Sequence, residues 1–227
     1  ADNDAFDVAR DIKGKFPNIH CVVLTPFSHG ITKRMQNEDL SIFDYVFCWL
    51  GNTNLILSII KLIEDKMNLE HDIQEAGVQM ILLVEDSIRF YSSILPNLYN
   101  YILEQSKNFS QEALNRHAAT MRMRGRPKVV LARTYEEAQK LYDKYSDNTL
   151  GVISDARFPL KSAAKAFGNE VMPEEKPKHR TDTFGREKCP DAGLQLFRYI
   201  RKNDPFVPLI IESSESENRA KAEAEGF

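Results

Sequence analysis

The chain is poor in most features that would place it at a glance. It has one tryptophan and three cysteines in 227 residues, and Cys21, Cys48 and Cys189 stand far apart with no Cys-x-x-Cys spacing. An odd, scattered set excludes a disulfide framework or a cysteine zinc site and reads as free thiols in a reducing compartment. No apolar run approaches the roughly 20 residues needed to cross a bilayer. No signal-peptide pattern opens the chain, which starts Ala-Asp-Asn-Asp as a processed or excised piece would. The expected compartment is the cytoplasm, with no membrane partner. A formal charge of −3 provides no basic surface, so broad nucleic-acid binding is not expected. The histidines at 20, 29, 71, 117 and 179 show no ligand spacing, and no short-period repeat is present.

What remains is an ordinary globular balance, 42% hydrophobic and 28% charged, enough for a sizeable core. Helical spacing over Asp7–Lys15 leads to a strand at His20–Thr25. A polar stretch, Pro26–Leu40, with room for a short helix precedes a strand at Phe43–Trp49. Asn52 or Thr53 can cap a long helix striped by Ile56, Ile59, Ile60 and Ile63, which Gly77 stops. Then come a strand at Met80–Val84, helix to about Arg124 with a break near Phe109-Ser110, and a strand at Lys128–Ala132. A helix follows at Thr134–Tyr145, with Thr134 and Glu137 in capping-box spacing, then a strand at Leu150–Ser154. Residues 160–190 read as a long mobile loop, followed by helix Asp191–Lys202, strand Val207–Ile211 and helix Glu215–Glu225. Alternating strands and helices predict an α/β fold, a doubly wound parallel sheet in three layers.

In such a sheet, ligands bind beyond the carboxyl ends of the strands. The expected strand ends carry Glu85-Asp86, Asp155 and Ser213 or Ser214. Converging carboxylates repel one another unless they share a cation, and oxygen ligands suit Mg²⁺. A carboxylate beside such an ion can attack a phosphoryl group, and a hydroxyl on the next strand can hold the product. Taken singly, each of these residues is as well read as a helix cap or a solvated carboxylate.

ILLVEDS, SDARFP and LIIESS, in that order, resemble the receiver domains of response regulators, strongest over 78–227. The resemblance implies a receiver (flavodoxin-like) fold and a two-component role. Asp155 would accept the phosphoryl group from a histidine kinase or phosphotransfer protein. Asp86 would bind Mg²⁺, Glu85 would assist through water, the Arg157 carbonyl would be a further ligand, and Ser213 the switch hydroxyl. It divides the chain into 1–76, the C-terminal half of a degenerate receiver-like unit ending in the long helix, and 77–227, a receiver lacking its last strand and helix. Thr25 and Tyr45 would hold switch positions in the first unit, where Cys48 stands in place of the family's lysine. The second unit's lysine would fall after Phe227. The 105–126 and 160–190 segments read as insertions. The series ILLVEDS, RPKVVLARTYEEA and GVISDARFP also resembles tandem receivers of bacterial proteins with a phosphoenolpyruvate synthase-like module.

One expectation is that the Phe43–Trp49 strand completes the second sheet, within a chain or by exchange in a homodimer. The alternative to phosphotransfer is a non-phosphorylated tandem pseudo-receiver, a dimerisation or regulatory scaffold for an attached enzyme. A haloacid dehalogenase-type phosphatase ranks lower, because it wants a second acid at position 157, occupied here by Arg157. Arg124-Gly125-Arg126-Pro127-Lys128 matches an AT-hook core but runs straight into a strand, which commits its backbone to the fold.

Overall fold

The computed structural model describes residues 4–26, 42–161, 181–182, 184–213 and 215–227. In chain order they form α1 (Ala5–Lys15), β1 (Val22–Thr25), β2 (Tyr45–Cys48), α2 (Asn54–Ala76), β3 (Met80–Val84), α3 (Ile88–Gln111) and α4 (Arg116–Arg124). Then follow β4 (Lys128–Ala132), α5 (Tyr135–Tyr145), β5 (Thr149–Asp155), β6 (Phe158–Pro159), β7 (Lys188–Cys189), α6 (Ala192–Asn203), β8 (Leu209–Glu212) and α7 (Ser216–Ala224).

The main sheet has the order β4-β3-β5-β8, with every pair parallel. Its alternating side chains supply two cores, as the period of two in a strand requires. Met80, Leu82 and Val84 of β3, with Val130 and Ala132 of β4, face α5 and α6 through Tyr142, Leu196, Phe197 and Ile200. Leu83, Val129 and Leu131 face the other way, against α2 and α3 through Leu62, Tyr91, Leu95 and Tyr99. Helices on both faces explain why these strands read as continuous apolar runs.

β1 and β2 form a separate parallel pair. β2 is buried along its whole length and packs on α3, where Ser92 Oγ accepts from Cys48 N at 2.9 Å and Tyr91 donates to the Val46 carbonyl. The expectation that Phe43–Trp49 extends the second sheet is therefore not met in this chain. Among the described residues β2 pairs only with β1, and its side chains are spent against α3. Thr25 and Tyr45 are both buried within this first pair.

Local chemistry sets the helix ends. Asn52 Oδ1 accepts from Asn54 N at 3.0 Å at the start of α2, and Gly77 ends it at φ 62, a left-handed conformation that glycine adopts without cost. Thr134 Oγ1 accepts from Glu137 N at 3.2 Å, and Glu137 Oε2 accepts from Arg133 N at 2.8 Å. The break between α3 and α4 falls at 112–115, later than expected, because Asn115 caps α4 by accepting from Ala118 N. Strand β8 starts at Leu209, after Pro208, which has no N–H to donate to the ladder. The polar stretch after Pro26 lies, apart from Pro26, outside the described residues up to 41. No helix among the described residues is long and apolar enough to cross a membrane.

The basic run before β4 is absorbed by the fold. Arg126 grips the wholly buried Asp65 of α2 through both terminal nitrogens, at 2.6 and 3.1 Å. Asp65 also accepts from Tyr99 Oη at 2.9 Å and from Val129 N at 3.0 Å, while Lys128 Nζ lies 2.5 Å from Asp72. Removing one partner of a buried ion pair strands the other, at a cost of about 3–5 kcal/mol. Asp65→Ala is therefore expected to lower the unfolding free energy by about that amount in urea denaturation. The double variant Asp65→Leu/Arg126→Met should recover part of the loss, because Tyr99 Oη and Val129 N still lose their acceptor. A double variant as unstable as the single would show that the ion pair is not the cause.

Candidate functional site

The placing of the candidate site at the carboxyl end of the main sheet follows from its connections. α3 leaves β3 on one face, whereas α5 and α6, reached from β4 and β5, pack on the other. Between β3 and β5 the connections therefore diverge, the kind of topological switch point at which open parallel sheets bind ligands. Glu85 and Asp86 follow β3 directly, and Asp155 ends β5. One carboxylate oxygen from each lies within 4.8 Å of the other two. Glu85 and Asp86 are buried, Asp86 completely, and Asp155 is half-buried.

At this spacing each pair of negative charges repels by about 3 kcal/mol for an effective dielectric constant near 20. Burial, followed by the charges of Asp155 and Asp86, pushes the Glu85 carboxyl up to about 9, although Ser87 N donates to its Oε1 at 2.9 Å. Burial also raises Asp86 to about 6, against the opposing pull of the Lys188 ammonium. Asp155 is raised by burial, while Lys188 and the backbone N–H groups of Ala156 and Arg157 hold it down. Ala156 N donates to Asp155 Oδ1 at 2.7 Å.

Lys188 Nζ sits 2.7 Å from Asp86 Oδ2. The contact joins opposite charges on a fully buried carboxylate, and among the described residues Asp86 Oδ1 has no hydrogen-bond partner. A buried carboxylate oxygen left without a donor is uncommon and leaves room for a cation or water as its partner. The all-oxygen set Glu85, Asp86 and Asp155 fits a hard divalent ion such as Mg²⁺.

No protein-family model, curated protein or solved structure matches this chain.

The fold brings together Glu85, Asp86 and Asp155 and leaves the other expected residues around them. Arg157 Nη2 holds Glu215 at 2.8 Å, which leaves a cation where a dehalogenase-type acid would be needed. Ser213 lies one residue beyond Glu212, the register partner of Asp155. It is exposed, and its Oγ accepts from Glu215 N at 3.1 Å and from Asn218 Nδ2 at 2.8 Å. In this state it tethers the start of α7. Gly193 of α6 passes so close behind the site that a Cβ there would lie 2.4 Å from the Asp155 carbonyl oxygen.

The 160–190 segment corrects the expectation of a loop throughout. Residues 162–180 lie outside the described set, but β7 returns to pair antiparallel with β6, with Phe158 opposite Cys189 and Pro159 opposite Lys188. Gly185 N donates to Asp182 O at 3.1 Å, and the Asp182 side chain accepts from Phe184 N and Arg186 N at 3.0 and 2.7 Å. Asp at the first and Gly at the fourth position of a turn was the available sequence signal. Lys188 itself had none, since only the return of the hairpin brings it to Asp86.

Glu85 keeps its proton in the folded protein up to about 9, whereas the unfolded chain releases it above the ordinary value of 4.5. The folded state thus binds more protons across this window, and stability falls as pH rises through it. Without divalent ions, Glu85→Gln is expected to have a higher Tm than wild type near about pH 8, the gap closing toward about pH 5. A Tm difference that does not change with pH would refute this assignment.

Proposed function

We propose that the chain is a receiver-type phosphoacceptor module with Asp155 as the accepting carboxylate. The observation that carries the reading is the convergence of Glu85, Asp86 and Asp155 within 4.8 Å at the sheet's switch point. With β3, β4, β5 and β8 counted as first to fourth, the strand order is 2-1-3-4, the leading part of the flavodoxin-like order 2-1-3-4-5. This supports a receiver fold.

Asp86 and Asp155 would hold the divalent ion, with Glu85 beside them and the Arg157 carbonyl as a further ligand. When bound, such an ion neutralises charge on the phosphoryl oxygens. Asp155 is oriented by the Ala156 and Arg157 N–H groups, so its carboxylate oxygen is presented for attack on phosphorus. With a phosphohistidine donor, the new bond is P–O and the broken bond is P–N. The electron pair stays on the donor nitrogen, which takes up a proton from solvent. The acyl phosphate brings added charge near Ser213, whose hydroxyl would exchange its hold on Glu215 N and Asn218 for the phosphoryl oxygens and so shift the start of α7.

The Lys188–Asp86 ion pair favours a second reading, a scaffold whose acidic pocket is already neutralised and never takes up phosphate. One experiment separates them. Incubation of the chain with acetyl phosphate and Mg²⁺, followed by intact-mass measurement, is expected to add one phosphoryl group to wild type and none to Asp155→Asn. Chelation of the metal should abolish the gain. A wild-type mass unchanged under these conditions rejects the phosphoacceptor reading.

A further inference from the structure

Of the positive groups around the acidic pocket, Lys188 is set apart by where it comes from. It belongs neither to the sheet nor to a helix but to the β6–β7 hairpin, which begins three positions beyond Asp155 in the chain. The hairpin is held by more than its two-residue pairing. Thr181 bridges Glu187, Arg186 Nε donates to Asp182 Oδ2 at 2.6 Å, and Phe184 lies beside the guanidinium groups of Arg133 and Arg186, at 5.4 and 5.1 Å from its ring centre. These contacts fix the backbone that delivers the lysine.

The ammonium rests on Asp86, the wholly buried carboxylate of the cluster. Its charge also acts on Glu85 and Asp155. A divalent cation bound to Asp86 would meet this like charge at close range, and the two cannot share Oδ2 without strong repulsion. Lysine carries its charge on a flexible four-carbon stem, so the ammonium can leave Asp86 while the hairpin stays paired.

We propose that Lys188 competes with the divalent cation for Asp86 and, once displaced by it, becomes the ammonium that binds the phosphoryl oxygens on Asp155. The second half rests on the phosphoacceptor reading above; the first half does not. The hairpin thereby couples cation loading to assembly of the phosphoryl-binding group, from a segment inserted between β5 and α6.

The test uses the full chain as wild type, Lys188→Met and Lys188→Arg, with circular dichroism to confirm that each is folded. Mn²⁺ affinity is measured by calorimetry with no phosphodonor present. Lys188→Met is expected to bind Mn²⁺ roughly tenfold more tightly than wild type, and Lys188→Arg about as wild type does. Equal or weaker binding by Lys188→Met overturns the competition. Phosphorylation by acetyl phosphate is then followed at saturating Mg²⁺, where Lys188→Met should be about tenfold slower despite its tighter metal, and Lys188→Arg should recover most of the rate. A Lys188→Met rate equal to wild type overturns the phosphoryl-binding role. Should wild type take up no phosphoryl group while Lys188→Met still gains Mn²⁺ affinity, the phosphoacceptor reading and the second half fail together, and the competition at Asp86 stands.

Discussion

The constraint on which this molecule turns is the crowding of negative charge at one end of its parallel sheet. Three carboxylates with oxygens within 4.8 Å of one another, two of them buried, are costly in isolation. Burial raises all three, the charges of Asp155 and Asp86 add to it at Glu85, and Lys188 opposes it at Asp86 and Asp155. Two remedies are written into the chain. One is a proton on Glu85, whose carboxyl is pushed up to about 9. The other is the ammonium of Lys188 against Asp86. Among the described residues, Asp86 Oδ1 is still left without a hydrogen-bond partner. That is the physical case for a cation site, and it holds apart from any likeness to other proteins.

The rest of the fold serves to hold those oxygens still. β3 and β5 are the central strands of the main sheet, covered on both faces, so their carboxyl ends cannot drift apart without disturbing two cores. Behind Asp155 the chain is equally tight, because Gly193 N donates to the Ala156 carbonyl and no side chain fits between α6 and β5. On the far face α2 is locked to β4 through Asp65, Arg126 and Lys128, and β2 lies on α3. The first strand pair is thus packed on the same helix that backs the site. A buried ionic lock adds little net stability compared with an apolar replacement, but it fixes which residues of α2 meet β4.

Much of this was legible from residue order. Continuous apolar runs at Met80–Val84, Lys128–Ala132 and Leu150–Ser154 signalled strands covered on both sides. Thr134 with Glu137 and Gly77 marked helix ends that the structure keeps. Glu85, Asp86 and Asp155 stand at carboxyl ends of strands, where ligands bind in a parallel sheet, and the resemblance of their motifs to receivers pairs them; the structure brings their oxygens together. Ser213 was placed at the correct end of the sheet, yet its partners are Glu215 and Asn218, since a hydroxyl just before a helix is also well placed to satisfy a free N–H there. The strand at Phe43–Trp49 was legible, but within this chain it pairs with β1 and not with the main sheet. An apolar strand buries equally well against a sheet edge or a helix, and periodicity does not distinguish the two.

The sequence by itself determined the alternation of strands and helices, the apolar faces and the acidic residues at the strand ends, because these depend on neighbours a few positions apart. Tertiary structure decided three other matters: that β2 rests on α3, that Arg126 and Lys128 are consumed by Asp65 and Asp72, and that Lys188 stands at Asp86. Each of these joins residues distant along the chain. Such contacts are fixed by packing and by the return of a hairpin, for which local spacing carries no record.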